Sequence, residues 1–568
     1  MPTLPPDLTP LTPLTPLGPT TTRALCGPIL LWALLLVCGL LTRPPIPIDE
    51  TRYLGVAWEM WLRGDLLVPY LLGEPYHHKP PLLFWGMHLG WWMFGVSEWW
   101  ARSVAPLFAL GTLLLSVKTA RVLWPERSDI ARLTPWLLVG VLFWSVFATL
   151  TMFDMLMAAC ALAAGLGLAI AALRQQRLGF VLTGCAIGVG VLAKGPVILL
   201  HVLPLMAFAP WWATLPRARW LRWYFSCFAA VILGGAIALC WAIPAAWQGG
   251  ETYANALFWS QSAGRIVGVQ EGNMNPHRHG WWWFLPFLPA LFFPWAIWPP
   301  TWRALRKMPS FLHEPGVRWC LCWCGSAFLL HSLISGKQVH YLIPLVAPAV
   351  LLFARALADS TATISRRDRW PVTTVLVIIC LVLLIGPLLS KSALNVISLG
   401  NREAAPHEWG AAIGLIPGIV TTILTAVFIA LPASTVLRAI QHTTIVGMVL
   451  LVILHVGVTQ AIRPTYDLAP ISQRIAAWQT QGIAVARIGS YRAEYQFLGR
   501  LVTSPTVIGV TDVVDWIRQN PNGILLMTFD PRRPLIQGFN PAGEDLPHRG
   551  VRLGIWQASQ LLGDDDDY

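Results

Sequence analysis

Between Ile48 and Pro81 the chain concentrates groups able to do chemistry. Asp49 and Glu50 lead, Arg52 and Tyr53 follow, and after Gly64-Asp65 comes the run Tyr76-His77-His78-Lys79-Pro80-Pro81. A carboxylate can accept a proton or stabilise positive charge in a transition state. Arg grips a phosphate through two parallel hydrogen bonds, and Lys supplies a point charge. The set suits an anionic ligand. Only 12% of the residues are charged, so this density at a membrane surface is a site hypothesis by default.

The elements that must position these groups are apolar. The chain has 568 residues, 55% of them hydrophobic and 31 of them Trp, with a mean hydropathy of +0.57. That composition defines a polytopic membrane protein. The net charge of +12 sits in short clusters between apolar runs, which argues against nucleic-acid binding. Most of the ten cysteines lie inside apolar runs and none follows Cys380, so a disulfide framework is not indicated. Cys320, Cys322 and Cys324 mimic a metal motif, but alternate spacing on a helix turns Cys322 away from the other two. They are packing residues.

Residues 1–22, rich in Pro, Thr and Leu, are expected to form a disordered cytoplasmic tail. Residues 24–42 form the first span and lack a small-residue cleavage pattern, so they anchor rather than address the chain. Further spans are expected near 98–120, 134–152, 155–173, 178–194, 196–213, 223–243, 281–300, 317–334, 341–357, 370–390, 410–431 and 439–460. With 80–96 lying on or dipping into the outer surface, this gives about thirteen transmembrane helices. The loops then assigned to the cytoplasm carry Arg121, Arg127 and Arg132; Arg174 and Arg177; Arg217, Arg219 and Arg222; Arg303, Arg306 and Lys307; Arg366, Arg367 and Arg369; and Arg438. This is the positive-inside pattern, loop after loop. The membrane domain covers 23–462, with a periplasmic first loop at 43–97. Short buried strands at Gly482–Gly489 and Gly523–Phe529, with helices at Tyr491–Leu498 and Thr511–Asn520, predict a small α/β domain over 463–568 outside the membrane.

The same topology carries every unusual polar cluster to the outer face: Asp49 to Lys79, Asp154, Lys194, the loop Gln248–His279, and Lys337-Gln338-Val339-His340-Tyr341. One shared site is the economical reading. Asp154, in an almost wholly apolar run, needs a basic or tyrosyl partner. Arg52, Lys79, Lys194, Arg265 and Lys337 are cations on the face where few are expected, and they imply an anionic ligand. Against this stand plainer roles: helix capping for Asp49 and Glu50, and snorkelling for Arg52 and Lys194. His77 and His78, or His277 and His279, leave a divalent metal open as a cofactor. Ala193-Lys194-Gly195-Pro196 lacks the upstream glycine and the following Ser/Thr of a P-loop. The closing Asp564–Asp567 run is a solvated tail.

In these residues the chain resembles the membrane-embedded GT-C glycosyltransferases. The resemblance is carried by Asp49-Glu50 after the first span, Gly64-Asp65, Pro69, Gly73-Glu74-Pro75-Tyr76 and Lys79-Pro80-Pro81 with Trp85. It continues through Asp154, Ala193-Lys194-Gly195-Pro196, Trp282–Trp295 and Ser335-Gly336-Lys337 to Tyr341-Leu342-Ile343-Pro344, over about residues 24–360. The nearest group is the protein mannosyltransferase-like one that includes the lipid A aminoarabinose transferases. The resemblance implies a GT-C fold and inverting transfer of a sugar from undecaprenyl phosphate to lipid A phosphate, at the periplasmic face of a bacterial inner membrane. Lipopolysaccharide so modified would resist cationic antimicrobial peptides. Asp49 and Asp154 would be catalytic. Glu50, Arg52, Tyr53, His78, Lys79, Lys194, Arg265, Lys337 and Tyr341 would bind substrate. The chain departs from the aminoarabinose transferases at His78, where they typically carry Glu. A carboxylate there could pair with a sugar amine better than His does, so which sugar is carried is left open, with an amino sugar, aminoarabinose or a hexosamine, as the expected donor. Mannose transfer to protein or to another surface glycan is the same-class alternative. A lipid transporter would instead spread ionisable residues along a path near the midplane.

Overall fold

The computed structural model of the protein describes residues 19–263, 279–359, 364–388, 413–433, 435–530, 544–549 and 551–561. Most of the expected N-terminal tail, Arg265, His277 and the Asp564–Asp567 run lie outside the described residues.

The membrane part is helical. Its first half runs α1 (Pro19–Thr42), α2 (Asp49–Arg63), β1 (Tyr70–Leu71), β2 (Glu74–Pro75), α3 (Leu82–Phe94), α4 (Glu98–Leu123), α5 (Ser128–Gly140), α6 (Leu142–Phe147), α7 (Phe153–Leu173) and α8 (Leu178–Lys194). It continues with α9 (Leu199–Ala207), α10 (Ala209–Trp212) and α11 (Trp220–Asn255), then helices at Pro315–Leu333, Val346–Ala358, Trp370–Ile385, Ile416–Ala430 and Val436–Tyr466. Among the described residues seven helical stretches are long and apolar enough to cross a membrane, and three shorter apolar helices accompany them.

Thirteen unbroken spans are therefore not what the described residues contain. Two of the differences have evident causes. The expected span 134–152 is split into α5 and α6 by Val141, whose backbone is extended, and Leu142 donates its N–H across the gap to the Phe293 carbonyl at 3.1 Å. The expected span 281–300 contains five prolines and forms turns and single helical turns instead of one helix. The helix α3 has 13 residues, about 20 Å at the usual rise, too short to cross a bilayer of about 30 Å.

The hairpin of α7 and α8 sets the site. Its two helices pack closely because glycines face each other: a Cβ on Gly167 would come within 2.6 Å of the Gly179 carbonyl oxygen. The turn lies near Arg174–Arg177, so the start of α7 and the end of α8 return to one level. Asp154 and Lys194 meet there by chain geometry. At the opposite end of α4, Arg127 bridges Asp129 and Asp359 at 2.9 and 2.6 Å, and Arg355 binds both Asp359 and Glu314. This chain of ion pairs ties three helices together.

The C-terminal sheet has the order β4-β3-β5-β7-β6, formed by Val485–Ile488 (β3), Thr506–Ile508 (β4), Ile524–Phe529 (β5), Glu544–His548 (β6) and Val551–Gln557 (β7). β3 is parallel to β4 and β5, whereas β7 runs antiparallel to β5 and β6. Apolar clusters cover both faces, as a sheet with parallel strands requires. The expected helix Tyr491–Leu498 shrinks to one turn at Gln496–Gly499, because Ala493 takes a positive φ of 59°.

Candidate active site

The first turn of α2 follows the end of α1 by only six residues, and Glu50 fixes its direction. The Glu50 carboxylate is buried and pairs with Arg43; it accepts the N–H of Ile46 at 2.8 Å and that of Thr151 at 2.7 Å. Arg43 in turn donates to the Thr149 carbonyl at 3.1 Å, and Arg102 of α4 donates to the carbonyls of Gly39 and Arg43 at 3.1 and 2.7 Å. Burial pushes the Glu50 pKa up, but Arg43 and the nearby Arg102 outweigh it and hold the group at about 2. Glu50 was expected to touch substrate; its oxygens are spent inside the protein instead. It joins the end of α1, the start of α2 and the turn that leads into Asp154.

This use of Glu50 has a testable consequence. A carboxyl held below its ordinary value of 4.5 stabilises the fold above that pH, and the contribution fades as pH falls toward about 2. Glu50→Gln should therefore lower the unfolding midpoint in detergent at pH 7, and the gap to the parent should close between pH 5 and pH 3 as roughly half or more of the titration completes. A gap that widens with acid would refute the assignment.

Asp49, the first residue of α2, keeps 53% of its side chain exposed and pairs with Arg52 one turn on. The Arg52 guanidinium lies 5.4 Å from the Tyr53 ring centroid. Tyr53 is buried, edge-on to Phe153 at 4.9 Å. Burial, with the charge of Asp49 beside it, raises the Tyr53 phenol well above its ordinary range, so it stays a donor. Lys79 leaves the Tyr76–His78 turn and places its ammonium 5.7 Å from the Phe153 ring. His78 is exposed at the rim, its ring 5.3 Å from Tyr76 and 4.4 Å from His77.

On the facing wall Lys194 donates to buried Asp154 at 2.5 Å and stands 4.5 Å over the ring of Tyr341. Tyr341 packs against His340 at 4.9 Å. The charges of Asp154, Lys194, Lys79 and Asp49 all act on His340. The structure thus brings Asp49, Arg52, Tyr53, Lys79, Asp154, Lys194 and Tyr341 into one cluster.

Lys337 is occupied elsewhere. It is buried and donates to the carbonyls of His279 and Ile334 at 2.8 and 2.5 Å, stapling two backbone segments. Its ammonium is held by two backbone carbonyl oxygens. Among the described residues no group of three or more His, Cys, Asp or Glu is placed to hold a metal ion. Sequence reasoning assigned His340 and Tyr76 no role of their own and did not single out Phe153. His340 sits in a run already singled out, and Phe153 is distinguished only by standing next to Asp154.

Acids and bases from α2, α7, α8 and the Val339–Leu345 turn thus meet at one end of the helical bundle of a multi-pass membrane protein, with a small α/β domain appended. Residues 78–247 match the family model described as dolichyl-phosphate-mannose-protein mannosyltransferase; they include Lys79, Asp154 and Lys194, while Asp49 precedes them. The chain is 32% identical over 314 residues to the undecaprenyl phosphate-alpha-4-amino-4-deoxy-L-arabinose arabinosyl transferase of Edwardsiella ictaluri, covering 54% of each chain. It is 30% identical over 339 residues to the protein of the same name from Pseudomonas paraeruginosa, covering 58% of this chain and 60% of that one. The matched stretch spans little more than half the length of these curated relatives. The fold is that of ArnT from Cupriavidus metallidurans, solved bound to undecaprenyl phosphate: the TM-score is 0.73 at 21% identity, over 96% of this chain and 99% of that one. The chain is thus similar to these aminoarabinosyl transferases over 54–58% of its length and shares the fold of ArnT.

Proposed function

We propose that the protein transfers a sugar, of the amino-sugar class, from undecaprenyl phosphate to a phosphate of lipid A at the periplasmic face of a bacterial inner membrane. The observation that carries this is the charge of the cluster. Three cations, Arg52, Lys79 and Lys194, face two carboxylates, Asp49 and Asp154, so the site holds one net positive charge and complements an anion. In sugar transfer from a phosphodiester the carrier phosphate departs with negative charge, and preorganised cations in a partly dry site stabilise it. Single displacement inverts the anomeric carbon. A lipid A phosphate is already ionised near neutral pH, with a second pKa of about 6 by analogy with phosphoserine, and attacks without a base. Asp49 then orients the reactants and stabilises positive charge developing in the sugar ring. Asp154 holds Lys194, and Tyr53 and Tyr341 form the aromatic walls.

Mass spectrometry of lipid A from cells with and without the gene tests the acceptor. The expected result is an added amino-sugar mass on lipid A phosphate that disappears with the gene. Unchanged lipid A would reject it and direct the search to protein or another surface glycan. Purified protein incubated with defined undecaprenyl-phosphate sugars and lipid A then identifies the donor.

A further inference from the structure

We infer that the C-terminal α/β domain positions the site, because its segment Tyr491–Leu501 holds α2, and with it Asp49, Arg52 and Tyr53, against Phe153. The inference rests on the reading of the cluster as a transferase centre. The sheet topology draws attention to this segment. The chain leaves β3 for β4 on one side and reaches β5 on the other, so the carboxyl end of β3 is a topological switch point. Open sheets of this type take their ligands there. In this protein the segment that leaves that end, Tyr491–Leu501, packs on α2.

The contacts are close. A Cβ on Gly55 would fall within 2.8 Å of the Ala493 carbonyl oxygen, so only glycine lets the two backbones approach. The Trp58 indole N–H donates to the Leu501 carbonyl at 2.9 Å. Phe497 stacks on Trp91 of α3 with centroids 5.3 Å apart and meets Trp58 edge-on at 6.3 Å. Arg500 caps the Phe497 ring at 3.7 Å.

Helix geometry makes the grip relevant to the site. At about 100° per residue, Trp58 lies on the face of α2 opposite Asp49, and Gly55 lies between Trp58 and Arg52. Phe497, Tyr53 and Phe153 nevertheless belong to one buried apolar cluster, so a shift at Phe497 is passed through close packing to the site face. Glu50 fixes the first turn of α2, and the domain fixes its second and third.

The test uses the purified full-length protein. Phe497→Ala empties the contact, Phe497→Leu keeps apolar volume without stacking, and Trp58→Phe removes the indole N–H together with part of the ring. Glu544→Gln is the control: it breaks the exposed pair with Arg474 in the same domain. Two readouts are taken: kcat and KM for the undecaprenyl-phosphate-linked sugar, and amide hydrogen exchange over residues 49–60. Phe497→Ala should lower kcat by about tenfold or more while KM stays within about twofold, and should speed exchange in α2 by about tenfold. Phe497→Leu and Trp58→Phe should fall between it and the parent, and Glu544→Gln should match the parent. Parental α2 exchange in Phe497→Ala, or an equal effect of Glu544→Gln, overturns the inference. If the parent itself transfers no sugar, the transferase reading fails, and the exchange measurement alone decides whether the domain holds α2.

Discussion

Asp49→Asn is expected to lower sugar transfer by about 10³-fold while the protein still inserts and folds. Asparagine keeps the shape of the side chain and removes its charge. The structural cost is small, because Asp49 is more than half exposed and its ion pair is with Arg52 on the same helix; exposed pairs of this kind contribute little to stability. The catalytic cost is large, because Asp49 is the exposed carboxylate of the cluster, whereas Asp154 is buried and engaged by Lys194. The kinetic signature is specific. Losing Asp49 releases Arg52, which then binds the carrier phosphate at least as well as before. So kcat should fall while KM for the donor stays level or drops, the pattern of an interaction made in the transition state. Steady-state kinetics with a defined undecaprenyl-phosphate sugar measure both. A near-parental kcat would remove Asp49 from the mechanism.

The residues of the cluster were legible in the sequence because a membrane makes ionisable groups conspicuous. Asp154 stands in a run of apolar residues, and Lys194 ends another; chain direction and helix length place both on one side. Their direct pairing follows from the hairpin of α7 and α8, which depends on how closely Gly167 and Gly179 pack, a property of shape that no pattern of polar and apolar residues encodes. Glu50 shows the opposite limit. Its position beside Asp49 suggests a shared task, yet its partners, Arg43, Arg102 and the Thr151 N–H, come from three separate segments, and only the fold decides that the carboxylate turns inward. The contacts of Lys337 were hidden for the same reason: backbone carbonyls, which every residue carries, receive its hydrogen bonds. Thirteen continuous helices are not found among the described residues, because prolines and extended residues break apolar runs into short helices, and hydropathy measures the medium a segment prefers and not whether its backbone is continuous. The C-terminal domain could be read as α/β from its strands, but its seat on α2 depends on single contacts such as Ala493 against Gly55.

Lys194→Met should destabilise the protein by about 3–5 kcal/mol, the usual cost of stranding one member of a buried pair, and should abolish transfer. Methionine matches the length of the lysine stem, so packing against Tyr341 survives and the charge alone is lost. Asp154, 3% exposed, is then left as a buried carboxylate without its cation. Asp154→Asn should cost less, because the Lys194 ammonium keeps the face of Tyr341 at 4.5 Å and an amide oxygen still accepts its hydrogen bond. The double variant Lys194→Met/Asp154→Asn removes both charges and should be more stable than Lys194→Met alone, giving a coupling of about 2 kcal/mol or more between the sites. Thermal unfolding in detergent measures the cycle. Stability and activity should part company in the double variant, which recovers its fold but not its transfer, since the cation proposed to face the carrier phosphate is gone. Additive stabilities across the cycle would mean that the pair is not coupled in the folded protein, and recovered transfer would exclude Lys194 from holding the phosphate.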